Sequence, residues 1–226
     1  MDLYLYEEIM LLALRDDKGT LVTSYVEQAV AGAVFAELLL AGKISVSEDK
    51  KKLVAVQDSS PLGDPIIDEC LALISAQSKP ISSQDLITKI GDIKELRHKV
   101  ARQLCNRDIL RAEQDKIMFI FTRRTYPEVN PEPEQAIIRR IHAAIFDEKE
   151  DIDPRTIVLI SLAKSAELLV QNFDVKAIRA KKDRIEQIVS GELAGEATRE
   201  VISAYETAVL VATIIPTLVT TIVVSS

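Results

Sequence analysis

Two runs near the start of the chain set most of what it can fold into. From Tyr4 to Leu14 apolar residues recur at helical spacing and stop at Arg15-Asp16-Asp17-Lys18-Gly19, a charged turn with glycine at its end. From Tyr25 to Leu40 runs a second, more apolar helix, ended by Gly42. Lys43-Ile44-Ser45-Val46 and Leu53-Val54-Ala55-Val56 then cluster β-branched residues around Ser47-Glu48-Asp49-Lys50, which predicts a hairpin. The chain is therefore expected to be mainly α with small β-hairpins.

The remaining segments extend that pattern. Asp64 is placed to cap a helix whose first residue is Pro65, where a missing N–H costs nothing, and Gly63 allows the tight approach to that cap. Asp64 and Asp68 share a helical face and could meet a hard cation, but two carboxylates without a third ligand make a poor metal site, so capping is the better explanation. Ser82-Ser83-Gln84-Asp85 introduces a short helix through Ile90, and Ile93 to Asn106 forms the next. Ile109 to Glu113 is expected to pair with Ile117 to Thr122 across Gln114-Asp115-Lys116. Pro127, Pro131 and Pro133 mark a loop, after which helices are expected at Glu134 to Phe146, Pro154 to Phe173, Val175 to Val189 and Thr198 to Ile215.

No Gly/Ser/Pro-rich linker divides the 226 residues, and 47% apolar content is enough for a sizeable core, so a single globular domain is expected. From Ala208 to Val224 seventeen residues carry no charge, but Pro216, four threonines and the lack of flanking Lys or Arg argue against a spanning helix. The segment through Ile215 instead reads as a central apolar helix surrounded by amphipathic ones. The β-branched tail after Pro216, roughly residues 217–226, could cover a subunit contact, lie on a membrane or pack locally. The N-terminus shows no secretion signal. Cys70 and Cys105 sit in helical apolar patterns and read as buried thiols of an intracellular protein.

A net charge of −7 makes nucleic acid an improbable general partner. Locally the balance reverses: between Lys94 and Arg111 six basic residues face two acids. On a helical wheel Ile93, Leu96, Val100 and Leu104 share one face, Lys94, His98 and Arg102 fall opposite, and Arg97 lies at the border. That face suits either an anionic partner or plain solvation. Each Lys or Arg near an anionic membrane contributes roughly 1 kcal/mol, so three or four give weak, reversible docking. Two helices followed by a hairpin also outline a winged helix, which keeps a DNA-binding reading open. The apolar run Ile117-Met118-Phe119-Ile120-Phe121 is longer than one buried strand face requires, so Ile117, Phe119 and Phe121 could pair with another subunit or pack within the monomer. Arg123 and Arg124 beside it could pair with acids or with lipid phosphate.

Catalysis finds little support: no serine elbow, glycine-rich phosphate loop or zinc spacing accompanies His98 and His142. His98 is read as a surface residue tuning the basic patch and His142 as structural. The acid pairs Glu7-Glu8 and Asp147-Glu148 are read as solvated helix ends. No cofactor, metal or catalytic residue is expected.

Glu7 to Gly19 and Ser59-Ser60-Pro61-Leu62-Gly63-Asp64-Pro65-Ile66-Ile67-Asp68-Glu69-Cys70-Leu71 together resemble the Golgi phosphoprotein 3 family. Ala31 to Ile44, Leu96 to Leu104 with Ile109-Leu110, Tyr126-Pro127, and Leu159 to Ala163 follow in that family's order, and the resemblance runs from about Leu3 to about Leu218. It implies a peripheral membrane protein on the cytoplasmic face that binds phosphatidylinositol 4-phosphate and holds the cytosolic tails of membrane proteins, at the Golgi where the source is eukaryotic. Lys94 and Arg97 match two basic residues that contact the headgroup in eukaryotic members, and the hairpin matches one that mediates self-association, implying a homo-oligomer. A membrane-facing tryptophan and a further headgroup arginine of the family align with Val22 and Ala31. That departure implies a prokaryotic or divergent member that binds anionic phospholipid less selectively.

Overall fold

The computed structural model describes residues 2–15, 18–47, 49–117, 121–147 and 152–192. Their elements run α1 (Leu5–Ala13), α2 (Val26–Leu40), β1 (Ile44–Val46), β2 (Leu53–Val56), α3 (Pro65–Ser75), β3 (Ile81–Ser82), α4 (Ser83–Gly91) and α5 (Leu96–Asn106). They continue with β4 (Glu113–Ile117), β5 (Phe121–Thr125), α6 (Glu132–Ile145), α7 (Pro154–Ser165), α8 (Leu168–Asn172), α9 (Val175–Ala180) and α10 (Lys182–Val189). The fold is mainly α, as expected. Among the described residues no helix is long and apolar enough to cross a membrane. The expected helix Thr198 to Ile215 and the tail beyond it lie outside the described residues.

A sequence that is apolar all round a helix demands burial on all sides. Every residue of α1 is buried, as are α2 from Ala29 to Leu38 and α7 from Thr156 to Ala163. These three helices pack on one another and form the centre. The amphipathic helices cover it with one face each: Ile66, Ile67, Cys70 and Ile74 of α3, Leu86, Ile87 and Ile90 of α4, Val100 and Leu104 of α5, Ile137 and Ile141 of α6, Ile185 and Ile188 of α10. Each fully buried Leu or Ile side chain contributes about 1.5–3 kcal/mol against chain entropy. Cys70 is buried and Cys105 half-buried, both as free thiols.

Local signals resolve as their chemistry requires. The Asp64 carboxylate accepts from the N–H groups of Ile66 and Ile67, and Asp68 accepts from Leu62 and Gly63, so both aspartates serve the turn and no cation is required to explain them. Gly63 takes φ 84, a left-handed conformation that glycine adopts without a Cβ penalty. β1 and β2 pair antiparallel in the expected hairpin, and β3 adds a third strand before Ser82 caps α4.

Two expectations shift. The second hairpin pairs Glu113–Ile117 with Phe121–Thr125, so Gln114 to Lys116 lie within a strand and do not form the turn. Ile109 and Leu110 are buried where the chain leaves α5, which is why that apolar pair joins the core instead of a strand. The long helices expected at Pro154 to Phe173 and Val175 to Val189 are each broken in two, at left-handed Glu167 (φ 61) and at Lys181.

Glu7 and Glu8 correct a third expectation, because they are among the most buried residues of the chain. Arg107 reaches Glu7 from the end of α5 at 2.6 Å, Arg140 of α6 reaches Glu8 at 2.7 Å, and Arg155 of α7 reaches Glu37 of α2 at 2.7 Å. Glu37 also accepts from the Leu5 N–H, and Glu7 from the Tyr4 N–H, so the same carboxylates satisfy the open N–H groups at the start of α1. Burial pushes the Glu7 and Glu8 carboxyls above their ordinary range, opposed at Glu7 by the Tyr4 N–H and Arg107 and at Glu8 by Arg140.

Candidate functional site

The basic stretch does not begin as a helix. α4 ends at Gly91, the chain turns through Ile93 and Lys94, and Glu95 adopts a left-handed conformation (φ 58) before α5 starts at Leu96. This turn places Arg97 and His98 in the first turn of α5, on the wall of a cavity of about 470 Å³. Met10 of α1, Leu14 just beyond it and the Gly19–Leu21 loop supply another wall, and Arg123, Arg124 and Tyr126 close it from the end of the hairpin.

Backbone contacts fix that closure. Gly19 O accepts from the Tyr126 N–H at 2.9 Å, and a Cβ on Gly19 would lie 2.0 Å from the Tyr126 carbonyl carbon. With φ +54 as well, this position admits only glycine without rearrangement. Tyr126 is itself buried, and its hydroxyl lies 2.9 Å from His98 Nδ1. The glycine expected merely to end a turn thus docks the end of the hairpin against the loop that follows α1.

Three guanidiniums, those of Arg97, Arg123 and Arg124, and one carboxylate, that of Glu95, line the cavity. The positive end of the α5 dipole adds to that field. Arg124 Nη1 donates to Glu95 Oε1 at 2.6 Å, and Arg102 Nη1 lies 3.8 Å from Glu95 Oε2. Arg97 Nη1 lies 3.2 Å from Glu27 of α2. The hydrogen bond from Arg124 holds the Glu95 carboxyl below its usual range. Burial, with Arg97 and Arg124 close by, holds His98 below the usual imidazole range, so near neutral pH it offers a ring and no charge.

The other residues singled out from sequence fall in different places. Lys94 is exposed in the turn ahead of α5, off the helix face assigned to it and outside the cavity lining. Arg102 is exposed, outside the cavity lining, and lies 3.8 Å from Glu95. Ala31 is buried in α2, where a Cβ on Gly91 would lie 3.8 Å from its own Cβ, and Val22 is half-buried. Ile117 and Phe121 are backbone partners in the hairpin register, and Phe119 lies outside the described residues. His142 is exposed on α6, against Phe146 and 3.4 Å from Asp147. The contributions of α1 and the Gly19 loop were missed; the only sequence signal for them was Gly19 itself.

Fold and cavity together define a mainly helical domain with an arginine-lined pocket between α1, the start of α5 and a hairpin. A family model described as Golgi phosphoprotein 3 (GPP34) matches residues 5–205, and the chain belongs to that family. A comparison with curated proteins gave no match.

Proposed function

We propose that this protein docks reversibly on anionic membrane surfaces by receiving a lipid phosphate in the cavity formed by Arg97, Arg123 and Arg124. It acts there as a peripheral adaptor for the cytosolic tails of membrane proteins, and as a binding protein in place of an enzyme. Family membership supports the adaptor role, and the convergence of three guanidiniums on one cavity in a chain of net charge −7 carries the lipid reading. Guanidinium forks match phosphate oxygens in charge and geometry. Phosphatidylinositol 4-phosphate fits this chemistry, with Lys94 and Arg102 adding field from outside the cavity. Self-association through the hairpin remains part of the same reading.

The test is co-sedimentation with neutral vesicles and with vesicles carrying phosphatidylinositol 4-phosphate or phosphatidylserine. Wild type is expected to bind only the anionic vesicles. Lys94→Ala with Arg97→Ala removes two charges worth about 1 kcal/mol each, a loss of roughly thirtyfold. Binding of a well-folded wild type to duplex DNA but to no vesicle would reject the proposal in favour of the helix–helix–hairpin reading.

A further inference from the structure

We propose that Glu95 is the chain's own occupant of the arginine cavity, a tethered anion that an incoming phosphate displaces. This rests on the lipid reading above and adds how the site is held when empty. Glu95 stands at the meeting point of the site: its left-handed backbone ends the turn before α5, and its two oxygens face Arg124 and Arg102. The cavity therefore carries a guanidinium, that of Arg124, already engaged by an internal carboxylate.

The Glu95 pair is fit for exchange. Its side chain is 38% exposed and that of Arg124 is 42% exposed, so water competes with both. Exposed pairs of this kind are weak, and a phosphate offering more oxygens and more charge replaces the carboxylate on the same fork. Until then Glu95 holds Arg124 at 2.6 Å on the cavity wall. Removing the carboxylate that competes for the Arg124 fork is expected to strengthen anion binding by about fivefold.

The experiment compares Glu95→Gln with wild type on vesicles containing phosphatidylinositol 4-phosphate, with Asp92→Asn as a control. Asp92 is an exposed acid in the same turn and outside the cavity lining. Glu95→Gln is expected to bind about fivefold tighter and Asp92→Asn less than twofold. In an Arg124→Ala background the gain from Glu95→Gln is expected to vanish, a non-additivity that general surface charge would not produce. Soluble inositol 4-phosphate, titrated by calorimetry, is expected to show the same gain, since the competition is for the phosphate. A gain confined to vesicles, an equal gain from Asp92→Asn, or unchanged or weaker binding by Glu95→Gln would overturn the proposal. Glu95→Asn, which accommodates the left-handed backbone, repeats the test should the glutamine variant fold poorly. If neither wild type nor Glu95→Gln binds any anionic vesicle at low salt, the lipid reading itself falls; if wild type binds and loses binding on Arg97→Ala, only the role of Glu95 is at issue.

Discussion

The molecule uses carboxylate–guanidinium pairs in two places with opposite settings. At Glu7, Glu8 and Glu37 the acid is buried and the arginine reaches it from the surface; at Glu95 and Glu27 both partners are in water. Distances are similar, 2.6 Å for Glu7–Arg107 and for Glu95–Arg124, so length does not separate them. Burial does. A buried carboxylate stripped of its partner has nowhere to go, whereas an exposed one is taken up by water. The first set therefore ties α1 to the end of α5 and to α6, and α2 to α7, and the second remains open to exchange with a ligand.

The widest separation between the two sets is expected from arginine removal. Arg107→Ala leaves Glu7 buried without its guanidinium and should cost about 3–5 kcal/mol in urea denaturation. Arg124→Ala should move the urea midpoint far less, since an exposed pair is worth at most about 1 kcal/mol. Adding Glu7→Gln to Arg107→Ala should recover part of the loss, because it removes the uncompensated charge. Equal sensitivity of the two arginines would break the distinction.

Gly19→Ala tests how far the second region depends on fold. The added Cβ meets the Tyr126 backbone at 2.0 Å, so hairpin or loop must shift, at about 1–3 kcal/mol. That shift should also weaken anionic-vesicle binding, since Tyr126 and His98 meet across the same cavity. Lost stability with unchanged binding would separate the cavity from its supposed support.

What was legible in the sequence divides along the same lines as these effects. Caps built from neighbours, Asp64 before Pro65 and Ser82 before α4, could be read because donor and acceptor lie within three residues. Glu7 was misread because its partner Arg107 is 100 residues away and no local pattern announces it. The basic residues after Ile93 stood out by charge, yet the helix boundary that excludes Lys94 is set by Glu95 in a left-handed conformation that a glutamate does not advertise. Arg123 and Arg124 were visible as a pair, but their meeting with Arg97 depends on the hairpin register, which polar strand residues left ambiguous.

Titration offers a smaller but more discriminating effect, since the two sets shift in opposite directions. Burial raises the folded Glu7 and Glu8 carboxyls above their unfolded values, so their contribution is full below about pH 4 and is lost as pH rises through the folded values. Glu95 is lowered, chiefly by Arg124, so its contribution is present above the unfolded value and is lost as pH falls through the folded one. Urea midpoints between pH 3 and pH 7 should therefore show less decline toward neutrality in Glu7→Gln, and less decline toward acid in Glu95→Gln. The same slope for both variants would contradict the assignment.

The smallest expected effect concerns Lys94, which sequence reasoning placed beside Arg97 on one helix face. In the structure it stands outside the cavity on an exposed turn, so it contributes field at the membrane surface without a fixed contact. A field contribution is screened over about 8 Å at physiological salt, whereas a guanidinium seated on a phosphate in a partly enclosed cavity is screened less. Lys94→Ala should therefore weaken vesicle binding by no more than about fivefold at low salt, with the difference from wild type fading as salt rises. Arg97→Ala should cost more and keep its deficit as salt is added. If instead both losses fade together, Arg97 acts as Lys94 does, and the cavity is only the middle of a diffuse basic patch.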